Sequence, residues 1–488
     1  MTVHFRPAQV VLCVGIAESR PRRCGYKTPP SQILLMLAHC VLRRALRGST
    51  PKVISTRSWQ QSPSPYNNVR SNGINGIHSI TRKRPSVAQN VRSNIQSRGL
   101  ITAAIPTFAV PPLMFIGLLL GLWTWKCFWI IVMQNKLLYL SWLPPFTRSE
   151  VISDYEAECR PVRWEEKQIR SLDGTKLAIC EGHIPVPREA QDSVSNAGAL
   201  RNQDQEREIP KRKKSVVICY FQGNGGSTPM RLPILSQVLR AIAETSRSTS
   251  STISGPEMTQ YTIAALSYRG YWTSSGRATQ SGIEMDAQAF LNWISETYAS
   301  PETDLEIVIW GHSLGAAVAS SAVSTYIPRQ HEGQTSSDTS NNRPLAPISR
   351  LILEAPTSSI KDMLISLYPQ KWLPYRYLWP FSWNTWDIRA KMKQMATWRD
   401  QQGSRTPDSG ATASIPRSLA PIFLLSAEKD EVIPPYVPDQ LEQHAKSLGL
   451  EIERKDVLGA MHIEAPLKLD GRKALVQFIL NGTSMPKT

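Results

Sequence analysis

Cysteine is scarce in this sequence and shows no paired spacing. Only 7 of the 488 residues are cysteine, and no two of them form a Cys-x-x-Cys pair. This pattern excludes both the disulfide framework of a small secreted domain and a cysteine-rich metal site. With 41% hydrophobic residues, the chain can bury a core of its own. We therefore expect a fold that needs no metal and no cofactor.

Acidic residues are nearly missing from the first hundred positions. Residues 1–99 contain 16 lysines and arginines but a single acidic residue, Glu18. This region therefore holds most of the formal net charge of +17, and the rest of the chain is close to neutral. Zinc-finger spacing, an RNA-binding aromatic signature and a basic recognition helix are all lacking, so we expect no nucleic-acid binding. Residues 1–100 are either a mitochondrial-type presequence or a disordered basic tail.

One long apolar run interrupts this polar start. Residues 101–133 are dominated by hydrophobic side chains, and the stretch Phe108–Trp125 carries no charge over about 18 residues, near the minimum for a spanning helix. Its tryptophans suit an interfacial aromatic belt. A buried core helix is the alternative. We predict a single-pass membrane anchor, in the endoplasmic reticulum or another endomembrane, with a mitochondrial membrane as the alternative location.

The remainder of the chain alternates between two kinds of pattern. Residues 134–160 are interpreted as an extended connector, and residues 161–484 as one catalytic domain. Within the domain, short apolar strands alternate with helical patterns, which predicts an α/β fold with a mainly parallel central sheet flanked by helices. Three polar, low-complexity stretches are interpreted as insertions: Pro185–Lys214, Ser246–Gln260 and Gln330–Pro347.

A nucleophile pattern follows one of these strands. The apolar run Leu305–Trp310 leads into Gly311–Gly315, which fits Gly-x-Ser-x-Gly, and small residues follow it. In this pattern a sharp strand-to-helix turn raises the serine above the sheet edge, and the flanking glycines relieve crowding. Ser313 is therefore the predicted nucleophile, and the backbone N–H of Leu314 is a predicted oxyanion donor.

A serine hydroxyl needs a base, and three histidines follow Ser313 in the chain. His331 lies in a low-complexity insertion, and His444 lies in a probable surface helix. His462 follows the last predicted strand, in a loop from which an imidazole could reach over the sheet edge. In α/β-hydrolase folds the chain order is serine, acid, histidine. We predict His462 as the base.

Three carboxylates compete for the role of the acid that orients this base. Glu428, Asp430 and Glu431 all follow the apolar strand Pro421–Ser426. Asp430 lies four residues beyond the strand and before two turn-forming prolines, so it is the predicted acid. Glu428 and Glu431 are interpreted as surface charges.

The second oxyanion donor should come from a loop upstream of the serine. The strand Ser215–Phe221 leads into Gln222–Gly226, a loop whose glycines permit unusual backbone conformations. A backbone N–H from this loop could face the serine, and we predict that Asn224 supplies it.

Five motifs now occur in the expected order: the loop Phe221–Gly226, the stretch Ser267–Tyr271, the elbow Gly311–Gly315, and the segments around Asp430 and His462. Together they resemble the bud-emergence type of membrane-anchored α/β-hydrolases, which are related to α/β-hydrolase-domain lysophospholipases and protein depalmitoylases. The resemblance covers roughly residues 110–480. It implies an α/β-hydrolase fold and a serine hydrolase that cleaves lipid-like esters or thioesters. The chain departs from the family pattern at Gln222, where relatives usually have histidine.

An aromatic segment occupies the place of a lid in such folds. Residues 360–398 are rich in tryptophan and tyrosine and are interrupted by prolines, which predicts a cap-like segment. Trp372 and Trp379 are its predicted substrate-binding residues, on an apolar surface for an acyl chain. A packed satellite core is the alternative interpretation. For the whole protein, the alternative function is a non-catalytic, membrane-bound scaffold with a role in cell polarity.

Overall fold

The computed structural model describes residues 106–185, 213–250, 259–335, 345–403 and 419–481. The predicted tail, residues 1–100, lies outside the described residues. So do the centres of the three predicted insertions, at residues 186–212, 251–258 and 336–344.

The domain is built on one eight-stranded sheet in the order β1-β2-β4-β3-β5-β6-β7-β8. The first two strands form an antiparallel hairpin and β2 runs antiparallel to β4, whereas all pairs from β4 through β8 are parallel. The strands are β1 Arg163–Arg170, β2 Lys176–His183, β3 Lys213–Phe221, β4 Gln260–Ser267, β5 Thr303–His312, β6 Ile348–Glu354, β7 Ile422–Ala427 and β8 Ile452–Val457.

Helices connect the parallel strands and cover both faces of the sheet. The α-helices are α1 Val110–Val132, α2 Gln134–Tyr139, α3 Glu156–Cys159, α4 Leu232–Ser250, α5 Gln280–Tyr298, α6 Leu314–Thr335, α7 Ile360–Leu367, α8 Ile388–Gly403, α9 Tyr436–Ser447 and α10 Leu469–Asn481. Buried side chains of α5, α6, α8 and α9 pack on one face. Those of α4 and α10 pack on the other. This three-layer arrangement confirms the predicted α/β-hydrolase fold.

The strand pattern explains why the sheet centre is fully buried. Strands β3, β4 and β5 carry almost continuous runs of apolar residues, and most of their side chains are buried. Such runs are typical of parallel strands covered on both faces. The edge strand β1 is mostly charged and polar, and all of its residues are exposed or half-buried. The core thus lies around β3 and β5, whose carboxyl ends carry two of the predicted site loops.

Two predicted insertions begin later than the sequence indicated. The Ser/Thr-rich stretch from Ser246 starts within α4, which continues to Ser250, and the stretch from Gln330 starts within α6, which continues to Thr335. Each helix packs its buried face on the sheet, so it continues into polar residues that show no apolar periodicity of their own. Here tertiary packing extends a helix beyond its sequence pattern.

The prediction of an extended connector at residues 134–160 was wrong. Residues 134–160 contain the helices α2 and α3 with short 3₁₀ turns at Thr147–Ser149 and Ile152–Tyr155. Tyr139 and Cys159 within this stretch are buried in the two core clusters. The segment belongs to the folded domain because long-range packing, which local sequence patterns do not report, holds it there.

Helix α1 stands apart from the buried core. None of its residues is buried. In the part of the chain that the structure describes, Thr107–Val132 is one helix that is long and apolar enough to cross a membrane. Its length and composition are consistent with the predicted anchor.

Candidate active site

The turn after β5 has the backbone of a nucleophile elbow. Ser313 adopts a φ of 54°, in the left-handed region that side chains other than glycine rarely occupy. A Cβ on Gly311 would lie 2.3 Å from the Gly315 carbonyl oxygen, and a Cβ on Gly315 would lie 2.0 Å from the Phe221 carbonyl oxygen. Both positions therefore require glycine. The backbone N–H of Ser313 donates to the Glu354 carbonyl at 2.8 Å, which ties the turn to β6.

The structure brings Asp430 and His462 together. The loops after β7 and β8 carry them, and the His462 Nδ1 lies 2.9 Å from Asp430 Oδ2 and 3.1 Å from Oδ1. Backbone N–H groups of Val432 and Ile433 donate to Asp430 Oδ1 at 2.8 and 2.7 Å. These donors hold the carboxylate in place. Such a carboxylate fixes the tautomer of an imidazole and leaves Nε2 free to accept a proton.

The two neighbouring carboxylates are not simply surface charges, as the sequence suggested. Glu431 Oε2 accepts a hydrogen bond from the backbone N–H of His462 at 3.0 Å. Glu428 Oε2 accepts one from the backbone N–H of Gly459 at 2.7 Å. Both side chains thus hold the loop that carries the imidazole. The glutamates support the backbone while Asp430 contacts the ring.

The elbow and the histidine loop lie against each other. His312, the residue before Ser313, places its ring centroid 5.0 Å from that of His462. Its Nε2 lies 3.3 Å from the His462 carbonyl oxygen. Within the described residues the Ser313 hydroxyl makes no hydrogen bond, to His462 or to another group. Hydrogen bonds between nucleophile and base are often long before substrate binds.

The predicted oxyanion loop packs directly on the elbow. A Cβ on Gly223 would lie 2.9 Å from His312 Nδ1 and 3.3 Å from Ser313 Cβ, so only glycine permits this approach. Asn224 follows, with an exposed side chain whose Nδ2 donates to the Leu138 carbonyl at 3.4 Å. Across the described ranges, the backbone N–H groups of Asn224 and Leu314 have no hydrogen-bond acceptor. Both predicted donors are therefore available to an oxyanion.

Gln222 occupies a buried position beneath this loop. Its side-chain oxygen accepts from Thr228 Oγ1 at 3.1 Å, and its carbonyl accepts from the Tyr268 hydroxyl at 2.9 Å. Among the described residues its Nε2 has no partner. The glutamine therefore supports the loop through its oxygen atoms.

A buried ionisable pair that was not predicted from the sequence lies under the elbow: His312 Nε2 is 4.0 Å from Glu354 Oε1. Glu354 ends β6 and is almost fully buried, and its Oε2 accepts from Trp310 Nε1 at 2.8 Å. Burial raises the pKa of Glu354 to about 8. Burial, together with His462 and Arg231, lowers the pKa of His312 well below its ordinary value. Both groups are therefore mainly neutral at pH 7. An acidic residue closing an apolar strand was the signal available in the sequence.

The two predicted substrate-binding tryptophans lie on the cap. Trp372 is 67% exposed, and its ring lies 5.9 Å from that of Trp123 in helix α1. Trp379 is 40% exposed, and the Lys361 ammonium lies 4.2 Å above its ring. These ring contacts involve neither the elbow residues nor Asp430 and His462. Tyr375 and Trp386 are buried, as expected of a packed satellite core, whereas Trp372 and Trp379 are exposed, as expected of an apolar surface for an acyl chain.

Metal binding has no obvious location in the site. Within the described ranges, no three histidine, cysteine, aspartate or glutamate side chains come together as a metal ion would require.

Sequence comparisons find several curated relatives at low identity. No protein-family profile matches it. It is 25% identical to Protein bem46 of Schizosaccharomyces pombe over 262 residues, covering 52% of this chain and 66% of that protein. It is 24% identical to the alpha/beta hydrolase domain-containing protein WAV2 of Arabidopsis thaliana over 349 residues, covering 69% and 83%. It is 29% identical to the lysophosphatidylserine lipase ABHD12 of Xenopus tropicalis over 175 residues, covering 36% of each chain.

Solved structures with a similar fold share little sequence with the chain. An α/β-hydrolase from Vibrio vulnificus is 15% identical, with a TM-score of 0.44, and the match covers 72% of this chain and 92% of that one. The esterase Pf2001 of Pyrococcus furiosus is 13% identical, with a TM-score of 0.39, over 68% and 93%. The chain spans just under two thirds of bem46 and about a third of the lipase.

Proposed function

The chain is an α/β-hydrolase related to bem46, WAV2 and the ABHD12 lipases, and we propose that it is a membrane-anchored serine hydrolase. The proposed reaction is cleavage of ester or thioester bonds in lipid-like substrates. The observation that carries the proposal is the Asp430–His462 pair at 2.9 Å, on a loop packed against the strained elbow of Ser313. A non-catalytic scaffold has no need of this arrangement.

The proposed mechanism uses the chain's own groups at every step. The Ser313 hydroxyl attacks the substrate carbonyl carbon while His462 Nε2 takes its proton, and Asp430 stabilises the resulting imidazolium. The backbone N–H groups of Asn224 and Leu314 stabilise the negative oxygen of the tetrahedral intermediate. Collapse breaks the bond to the leaving alcohol or thiol, which takes the proton back from His462. Water then attacks the acyl-enzyme by the same sequence and releases a carboxylic acid.

The relatives and the cap support a lipid-like substrate. The related lipase is named for lysophosphatidylserine. The cap exposes several large apolar side chains, among them Trp372, Phe381 and Trp383. An apolar surface of this kind suits an acyl chain. We therefore assign lysophospholipids, with acylated thiols of proteins as the thioester counterpart, as the substrate class.

Hydrolysis of a substrate panel tests this assignment. The full-length protein in detergent micelles should release fatty acid from lysophospholipids or from a long-chain acyl thioester, and Ser313→Ala should release none. Trp372→Ala should raise KM severalfold for long-chain substrates and leave short-chain esters unaffected. Leu172→Ala is the control, since Leu172 is also a large exposed apolar side chain, at 58%, and lies in the turn between β1 and β2, outside the cap. Equal effects of Trp372→Ala and Leu172→Ala would contradict a substrate role for the cap.

Helix α1 supports the membrane part of the proposal. At 1.5 Å per residue its 23 residues are about 34 Å long, against about 30 Å for the hydrocarbon core of a bilayer. Residues 110–122 are exposed throughout. From Trp123 onward one side of the helix contacts the cap, and the Lys126 ammonium lies 4.4 Å above the Tyr375 ring. The cap would then lie at the membrane surface.

Sealed microsomes test the placement. The protein should resist extraction by alkaline carbonate, as a spanning protein does. The basic flank before the helix should leave the tail on the cytosolic side, so the catalytic domain should be protected from added protease until detergent is present. Digestion of the catalytic domain without detergent would contradict this orientation, and release by carbonate would contradict the anchor.

A further inference from the structure

The segment that follows the membrane helix lies against the predicted oxyanion loop. We define residues 134–143 as the juxtamembrane segment. Two of its carbonyl oxygens accept hydrogen bonds from consecutive loop residues: Tyr139 O from Gly225 N at 3.0 Å, and Leu143 O from Gly226 N at 2.6 Å. Both glycines have left-handed φ angles, of 67° and 74°. The conformation of the loop therefore depends on where these two carbonyls lie.

Tyr139 is the residue on which the juxtamembrane segment is fixed. Its side chain is 1% exposed and packs in the main core. Its hydroxyl donates to Asn384 Oδ1 at 2.7 Å and accepts from Trp386 Nε1 at 3.0 Å. Its carbonyl accepts a second hydrogen bond, from the Tyr271 hydroxyl. One residue thus joins the cap, the core and the oxyanion loop.

Further hydrogen bonds join the same segment to the cap. Gln134 donates through Nε2 to the Phe381 carbonyl at 3.2 Å and accepts through Oε1 from the Trp383 backbone N–H at 2.7 Å. Asn384 Nδ2 donates to Asn135 Oδ1 at 2.7 Å. The cap is therefore held at the base of helix α1 by hydrogen bonds to Gln134, Asn135 and Tyr139.

We propose that the juxtamembrane segment is a positioning element of the active site and that Tyr139 sets the oxyanion loop for catalysis. This inference rests on the proposed hydrolase function and deepens it. The loop donor at Asn224 directly precedes Gly225, so a shift of the Tyr139 carbonyl moves the donor. An oxyanion hole works only when its donors are already aimed at the developing charge. The juxtamembrane segment therefore acts on the reaction by holding the oxyanion loop in position.

The test compares conservative tyrosine variants of the full-length protein in detergent micelles. Tyr139→Phe removes the hydroxyl that fixes the segment, and Tyr271→Phe removes the donor to its carbonyl. Each should lower kcat on a p-nitrophenyl ester about tenfold with KM changed less than twofold, because the loop acts on the transition state. The double variant should lose less than the product of the single losses, since both act on one carbonyl.

Tyr326→Phe is the matched control. Tyr326 lies more than three turns along α6 from Ser313. It is also fully buried, and its hydroxyl also makes two hydrogen bonds, to Ser295 Oγ and the Ala346 carbonyl. Its kcat should stay within twofold of wild type at a comparable change in melting temperature. If Tyr139→Phe behaves like Tyr326→Phe, or raises KM with kcat unchanged, the positioning role is overturned while the hydrolase function stands. A wild-type protein that hydrolyses no ester overturns both.

Discussion

Asp430 is the acid of the proposed triad because of the atoms it contacts. It alone of the three neighbouring carboxylates reaches the imidazole, while Glu428 and Glu431 bind the backbone of the same loop. The sequence could rank these carboxylates only by position after the strand. The structure adds the contact that distinguishes orienting the ring from supporting the loop.

Replacing Asp430 should therefore affect catalysis far more than replacing its neighbour. Asp430→Asn keeps the shape but favours the wrong imidazole tautomer, so kcat should fall about 10⁴-fold. Glu428→Gln keeps an acceptor for the Gly459 N–H and should cost less than about tenfold. Steady-state kinetics on a soluble ester measure both. A larger loss of kcat for Glu428→Gln than for Asp430→Asn would show that Asp430 is not the acid.

Glu354 gives the folded protein an unusual pH dependence. Its pKa rises on folding from an ordinary carboxyl value to about 8 because it is buried. Between those two values the unfolded chain has lost the proton and the folded chain retains it, so stability falls as pH rises. Above about pH 8 this effect levels off.

Glu354→Gln removes the titrating group and keeps an oxygen acceptor for Trp310. Denaturant unfolding of the wild type and the variant from pH 5 to 8 should show their stability difference shifting steadily toward the variant as pH rises. Other carboxylates cancel in this comparison because both proteins carry them. A stability difference that is constant over this range would contradict a raised pKa at Glu354.

Among the elements, the elbow makes the strictest demands on sequence. Gly315 lies where any Cβ would overlap the end of β3, and the helix α6 starts one residue before it. The strand–turn–helix unit therefore brings the nucleophile and the oxyanion loop together through a backbone contact. The Gly-x-Ser-x-Gly spacing is a steric requirement of this contact.

Gly315→Ala should consequently prevent correct folding or remove activity with a loss of stability above about 4 kcal/mol, the range seen for severe core overpacking. Gly459→Ala is the control, since it has a left-handed φ of 66° but open space around its Cβ position. Its cost should be only the backbone strain, about 1–2 kcal/mol. Thermal unfolding of both variants measures the difference. Comparable losses would show that the structure relaxes around the added methyl group, and that the contact with β3 does not require glycine at position 315.

Elements with a periodic pattern could be predicted from sequence, and elements without one could not. The buried strands β3, β5 and β7 were predicted within about two residues because unbroken apolar runs mark parallel strands. Helix α2 was missed because six residues carry too little periodicity. Its position depends on contacts to the cap some 245 residues away. The burial of Glu354 was also missed, because it too depends on contacts with residues distant in the sequence, such as Trp310.

At the scale of the whole molecule, helix α1 is fixed to the domain that follows it. Tyr139, seven residues after the end of helix α1, is buried in the core and hydrogen-bonded to both the cap and the predicted oxyanion loop. The domain could therefore not reorient freely relative to helix α1. With helix α1 as the proposed membrane anchor, the cap beside it would lie where a lipid substrate enters from the membrane surface.

Covalent labelling tests most directly whether Ser313 is an activated nucleophile. The full-length protein should react with a fluorophosphonate probe, and peptide mass spectrometry should find the adduct on Ser313. Ser313→Ala should not be labelled, whereas Ser320→Ala, which removes another buried hydroxyl two turns along α6, should react as the wild type does. A wild-type protein that stays unlabelled, or an adduct on another residue, would contradict the account.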